Sequence, residues 1–206
     1  MEVYTITKSD VNEGGLYIGD INTSEEINGH LIIEADLGCV RFTAPIRVKG
    51  DILAKSGSGV ESVSSIEAGY SIESGLDIET GWHTKAGRSI KAGRNIKAGR
   101  NIESGLDLKA GGGIYADWSI KAGLAITAKT ISSRLRIFAG LANWKYPEPK
   151  EMQIRAKLIN GEIAFGELVE PEIAPIDQLR SAVAAGDMGM VNEALVAFES
   201  RESVND

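Results

Sequence analysis

Trp82, Arg100 and Trp118 stand at intervals of eighteen residues. If that interval is a structural register, it sets a guanidinium between two indoles. Such a cation–π sandwich contributes ~0.5–1 kcal/mol per contact when exposed. Trp and Arg are also over-represented among the residues that dominate binding energies. The trio therefore reads either as a staple between neighbouring turns of chain or as an aromatic-cationic patch for a partner. Tyr70, Arg88, Arg94 and Tyr115 add further rings and cations to the candidate binding set. A second kind of chemistry is suggested by His83, one of two histidines, in the segment WHTKAG where a repeat is interrupted. Histidine is the side chain most often used as a general base, although an exposed corner histidine is the plainer reading.

Other chemistry is poorly represented. No nucleophile-elbow GxSxG, phosphate-cradling GxxxxGK[ST] or HExxH stretch is present. Glu61, Glu67, Glu73 and Glu79 recur at one solvated repeat position, which reads as a charge ladder and not as an acid–base pair. The single cysteine, Cys39, leaves no internal disulfide framework and no cysteine metal cluster. Asp77, Asn95, Asn101 and Asp107 share another repeat position, where Asx side chains serve turn backbone more readily than calcium. No metal or cofactor is expected. The net charge of −7 argues against a generic nucleic-acid binder. The run 85–129 nevertheless holds nine Lys and Arg against three Asp and Glu, which keeps open a basic stripe for nucleic acid. The N-terminus MEVYTITKSD lacks a signal-peptide pattern, and no apolar run approaches the ~20 residues of a membrane span. A soluble cytoplasmic protein with no membrane partner is expected.

The elements that must position these residues are repeats of six. Stepping by six from Val48 through Ala54, Val60 and Ile66 to Ile126 meets Ile, Leu or Val at twelve of fourteen positions. A small residue follows two later, and glycine usually comes next, so the unit is Ile-x-Ala-Gly-x-x. Residues two apart point to the same side of a strand, while glycine eases a corner. So short a strand cannot bury its own face, but stacked copies bury a continuous column. The expected fold is a mainly β, parallel β-helix with triangular coils of about 18 residues. Charge supports that length: at an 18-residue interval Lys49, Glu67, Lys85, Glu103 and Lys121 alternate in sign. A 12-residue coil would stack Glu61 on Glu73 and Lys85 on Lys97.

The ends differ. Residues 1–47 hold loosely phased strand-like runs and are expected to form an N-terminal β cap. The hexad β-helix should occupy 48–142, with a one-residue slip between Ile126 and Ile131 and a last coil at IFAGLANW. Alternating apolar residues around Asn160-Gly161 predict a β-hairpin cap over 143–171. Residues 172–206 change to helical patterning. Leu179, Val183 and Ala184 suit one helix, and Val191, Leu195 and Phe198 suit a second that Asp187 can cap. This C-terminal helical hairpin could dock on the chain itself, on a second copy to give a homo-oligomer, or on a partner.

The Ile-Lys/Glu-Ala/Ser-Gly hexads over 48–142 resemble the hexad-repeat parallel β-solenoids of bacterial and phage proteins, and loosely those of bactofilins. The resemblance implies a rigid rod of about five coils. Its Trp, Arg, Lys and Tyr side chains would grip a protein partner without catalysis. It suggests a phage-type inhibitor of a bacterial defence complex, in the host cytoplasm if phage-encoded. Two alternatives accompany this reading. One is a structural, self-assembling solenoid of the bactofilin kind. The other is an enzyme similar to the hexapeptide-repeat acyltransferases, with His83 as base. In that family the small residue lies two before the aliphatic one; here it lies two after.

Overall fold

The computed structural model describes residues 1–23, 25–170, 183–184 and 186–202. The chain divides into a unit of residues 1–170 and a unit of residues 171–206. The first is a parallel β-solenoid of about eight coils. At the ~4.8 Å separation of neighbouring strands, that stack is roughly 35–40 Å long.

Most strands are three residues long, as in Ile90–Ala92 and Ile96–Ala98, and are buried, exposed, buried in turn. That pattern is what a hexad dictates: Ile and Ala point in, and the residue between them points out. Eighteen residues on, the chain meets itself in register. Ile78 lies beside Ile96, and Ile96 beside Ile114. Three interior columns result, one for each face of the coil. The first runs Ile46, Ile66, Thr84, Ile102, Ile120, Ile137. The second runs Ile52, Ile72, Ile90, Leu108, Ile126, Ile154. The third runs Val60, Ile78, Ile96, Ile114, Ile131, Leu158. All of these but Leu158 are buried. Each buried aliphatic chain contributes about 1.5–3 kcal/mol through removal from water.

At the corners, glycine lets one coil pass close to the next. A Cβ built on Gly105 would collide with the carbonyl oxygen of Gly87, and one on Gly87 with that of Gly69. The columns also hold polar exceptions. Thr84 replaces Ile in the first column, and its hydroxyl lies 3.0 Å from that of Thr80, also fully enclosed. Two hydroxyls that satisfy each other remove the penalty each would incur alone.

Four expectations need correction. First, Val48 and Ala54 do not head the columns; they pair with Ala68 and Ser74 at the small inward position. Ile46 and Ile52 hold the column positions, because the coil from Ile46 to Ile66 is twenty residues long. Its surplus is taken up at Gly57, whose φ of +73° belongs to the left-handed region. Second, residues 1–47 are not a separate cap. Their strands join the same parallel ladder, with Leu31 beside Ile52 and Val40 beside Val60. Third, Asn160-Gly161 turns no hairpin. Residues Gln153–Phe165 run parallel to the preceding coil, with Ile154 beside Ile126 and Ile163 beside Ile137. Gly161, at φ +115°, makes a corner instead. The exposed ladder of the coil before it offers more pairing than a lone antiparallel hairpin would, so IFAGLANW is not the last coil. Fourth, five coils was too few, since both flanks continue the solenoid.

In the C-terminal unit, one helix is described, Met188–Glu202. Asp187 caps it: its carboxylate accepts the N–H groups of Gly189 and Met190 at 3.0 and 3.1 Å. Leu179, assigned to the first half of the expected hairpin, lies outside the described residues.

Two outcomes test this fold. Ile96→Ala should lower unfolding free energy by about 2–5 kcal/mol, and Ile96→Lys should abolish the cooperative melt. Gly105→Ala should cost about 1–3 kcal/mol through forced backbone movement. Chemical denaturation followed by circular dichroism reads both, and a wild-type midpoint for Gly105→Ala would place that corner elsewhere.

Candidate functional site

The register that stacks the columns also stacks the corners. The Arg100 N–H donates to the Trp82 carbonyl at 2.8 Å, and the Trp118 N–H to the Arg100 carbonyl at 3.1 Å. Their side chains are thus neighbours on three successive coils. The Arg100 guanidinium carbon lies over both rings, 4.9 Å from the Trp82 centroid and 5.1 Å from that of Trp118. The expected sandwich is therefore present. The rings are not absorbed by it, since Trp82 is 50% exposed and Trp118 45%. His83 packs edge-on against Trp118, with centroids 6.4 Å apart and planes at 78°.

The same corner carries apolar side chains at its margins. Ser64 lies one coil before Trp82, its carbonyl accepting the Trp82 N–H at 3.0 Å, with Val63 beside it under Gly81. Leu135 lies one coil after Trp118, and Val63 and Leu135 are both more than half exposed. Leu135 is aligned by its N–H, which donates to the Trp118 carbonyl at 2.9 Å. Sequence reasoning did not select either. Leu135 was accessible to it: the slip before Ile131 shortens the interval to seventeen, which carries the Trp118 position to residue 135. On the adjoining face, Tyr115 stacks beside Lys97 and is half exposed, its hydroxyl 2.9 Å from that of Thr130.

The remaining candidates lie elsewhere. Tyr70 and Arg88 form a second cation–π pair, 4.5 Å apart, on the next corner. Arg94 stands on the third corner, aligned with Leu76 below and Gly112 above. The seven residues are therefore three groups and not one surface. The cations of 85–129 are likewise dispersed. Lys85 and Lys121 share a face with Glu67 and Glu103. Lys97 lies 3.7 Å from Glu79, and Lys91 2.9 Å from Glu73. Lys91 and Lys109 are stacked neighbours, with Arg94 and Lys129 on the corner beside them. A triangular coil sends consecutive hexads to different faces, so a basic run in sequence is divided among them.

The charge ladder alternates as expected on the first face, but its lower member is Arg47, which pairs with Glu67 in place of Lys49. Lys49 instead reaches Glu26 at 3.8 Å. On the second face Leu53, not Lys55, lies beside Glu73. The Asx residues do serve backbone, though one coil along and not in their own turn. Asp77 accepts the Asn95 N–H at 3.0 Å, Asn95 the Gly113 N–H at 2.8 Å, and Asn101 the Ser119 N–H at 3.1 Å.

Other reactive groups do not converge. Among the described residues no three His, Cys, Asp or Glu are placed to hold a metal ion. His83 faces Trp118, its N–H donates to Ser65 Oγ at 3.4 Å, and its carbonyl accepts the Ile66 N–H at 2.9 Å. The Cys39 thiol is held above its ordinary pKa, first by burial and then by the negative charge of Asp77, which lowers its thiolate fraction. His30, with Nδ1 3.1 Å from an Asp51 carboxylate oxygen, lies beside Tyr70 and away from the tryptophan corner. No helix among the described residues is long and apolar enough to cross a membrane.

A double-mutant cycle of Trp82→Ala and Arg100→Ala, read by chemical denaturation, should give a coupling of about 0.5–1 kcal/mol. Each variant should keep a cooperative transition. A coupling of about 3 kcal/mol or more would make the trio chiefly a staple. No family model, curated protein or solved structure significantly matches the chain.

Proposed function

We propose that the chain is a non-enzymatic binding scaffold that engages a protein partner through the tryptophan corner. The observation that carries this reading is the pair of half-exposed indoles fixed on either side of Arg100. A ring held in place by a β-ladder loses little further freedom on association, so most of the gain from burying it is retained. Leu135 extends the apolar surface along the rod, giving a column four coils long. Its composition matches the aromatic and arginine anchors of protein interfaces.

Charge separates this from a nucleic-acid reading. The net charge is −7, and each face sets at least one Glu beside a Lys: Glu67 by Lys85, Glu73 by Lys91 and Glu79 by Lys97. A phosphate backbone is held by concentrated positive charge, whereas of the guanidiniums at the tryptophan corner Arg134 is already paired with Asp117, which leaves Arg100. The setting proposed with it, a phage-type inhibitor of a bacterial defence complex, rests on the likeness of the repeat and on no residue of the corner.

The test is affinity capture from a nuclease-treated bacterial lysate, comparing wild type with the Trp82→Ala, Arg100→Ala, Trp118→Ala triple variant. The expected result is one stoichiometric protein whose retention falls by at least about 30-fold in the variant, as loss of a hot spot of ~2 kcal/mol implies. The variant should keep its β spectrum. Equal retention by the folded variant overturns the reading. So does recovery of the chain alone as a large assembly.

A further inference from the structure

Several cations of the solenoid lean on a carboxylate one coil away, whereas Arg100, like Arg88 and Arg94, does not; of these three only Arg100 is held between two rings. Arg41 has Glu61 at 2.9 Å, Lys91 has Glu73, Lys121 has Glu103, and Arg134 has Asp117 at 3.7 Å. Arg100, in the middle of the rod, has no carboxylate within ion-pair distance and no side-chain hydrogen bond among the described residues. It is nonetheless held: two indoles flank it, and the backbone ladder fixes where those indoles start. A guanidinium carries five N–H donors in its plane and none on its faces. The rings lie 4.9 and 5.1 Å from the central carbon of Arg100 and the residue is only partly buried, so its donors are not spent on an acceptor of the chain. The nearest acid on the same corner, Asp117, already belongs to Arg134.

We infer that Arg100 is a pre-organised receptor for one carboxylate of the protein partner, an Asp or Glu flanked by large apolar side chains. The inference rests on the reading of the tryptophan corner as a binding surface and adds its ligand chemistry. Three features favour a single carboxylate. The fork geometry of guanidinium matches a carboxylate through two parallel hydrogen bonds. The indoles on either side lower local hydration, which strengthens that pairing, and they reward apolar neighbours of the acid. The other charges at the border of the corner are already matched, Asp117 by Arg134 and Glu79 by Lys97, each at 3.7 Å, so Arg100 offers a single uncompensated charge, which suits a lone acid better than a chain of phosphates.

The inference is tested by panning a displayed random peptide library on the whole chain. Selected peptides are then titrated by fluorescence anisotropy against wild type, Trp82→Ala, Arg100→Gln and Arg100→Lys. The expected peptides carry Asp or Glu beside an aromatic or large aliphatic residue. Replacing that acid by its amide should weaken binding to wild type about ten- to a hundred-fold. The same replacement should leave binding to Arg100→Gln unchanged. Arg100→Lys keeps the charge between the rings but loses the fork, and should recover only part of the affinity. Thermal melts of the three variants establish that each is folded.

Peptides that depend on Trp82 yet tolerate both the amide replacement and Arg100→Gln overturn the inference and leave the binding surface standing. Absence of any peptide that Trp82→Ala weakens overturns both.

Discussion

Everything in the solenoid follows from the inability of a three-residue strand to satisfy itself. Ile96–Ala98 has two inward side chains and backbone groups that need partners on both edges. It obtains both only by lying between an equivalent strand of the coil before and one of the coil after. Coil-to-coil pairing is therefore not an addition to a folded unit but the condition for any unit to exist. Once pairing is in register, the ~4.8 Å spacing applies to every side chain, inward, outward and at the corners.

That constraint makes outward chemistry a matter of columns. Opposite charges in a column, as in Glu67, Lys85 and Glu103, are compatible neighbours. Exposed pairs of this kind contribute about 0–1 kcal/mol each, so their alternation counts more against wrong registers than toward stability. A ring and a guanidinium in one column are also compatible, and at the spacing of successive coils the cation meets a ring on each side. The sandwich at Trp82, Arg100 and Trp118 needs no special loop. It needs three substitutions eighteen residues apart in an otherwise ordinary corner.

The same logic explains what was legible in the sequence. Period six gave the strand-and-corner unit, and the alternation of charge distinguished eighteen residues from twelve. With that interval in hand, the tryptophan–arginine contact followed before any coordinates. Where the interval changed, legibility failed. The coil from Ile46 to Ile66 has two extra residues, and stepping back by six from Val60 landed on Ala54 and Val48, both at the wrong inward position. Asn160-Gly161 carries a local signal for a reversal, but the tertiary ladder overrode it, since a parallel neighbour was already in place. Thr84 was visible as a break; that Thr80 answers it is a contact around a corner that the linear repeat does not display.

Differences among the three corners carry the functional information that the repeat itself lacks. The Arg94 corner runs Leu76, Arg94, Gly112, Lys129 and presents no ring. The Tyr70 corner runs Tyr70, Arg88, Leu106, Leu124, passing from one cation–π pair to an enclosed leucine. The tryptophan corner keeps large exposed rings on both sides of its cation and the exposed Leu135 beyond Trp118. Glycine, leucine or lysine at those positions would serve the fold equally well, as the other two corners demonstrate. Two exposed tryptophans where the fold asks for nothing are a standing liability in water. The proposed binding role would account for placing them there in register, around a guanidinium with no carboxylate of its own.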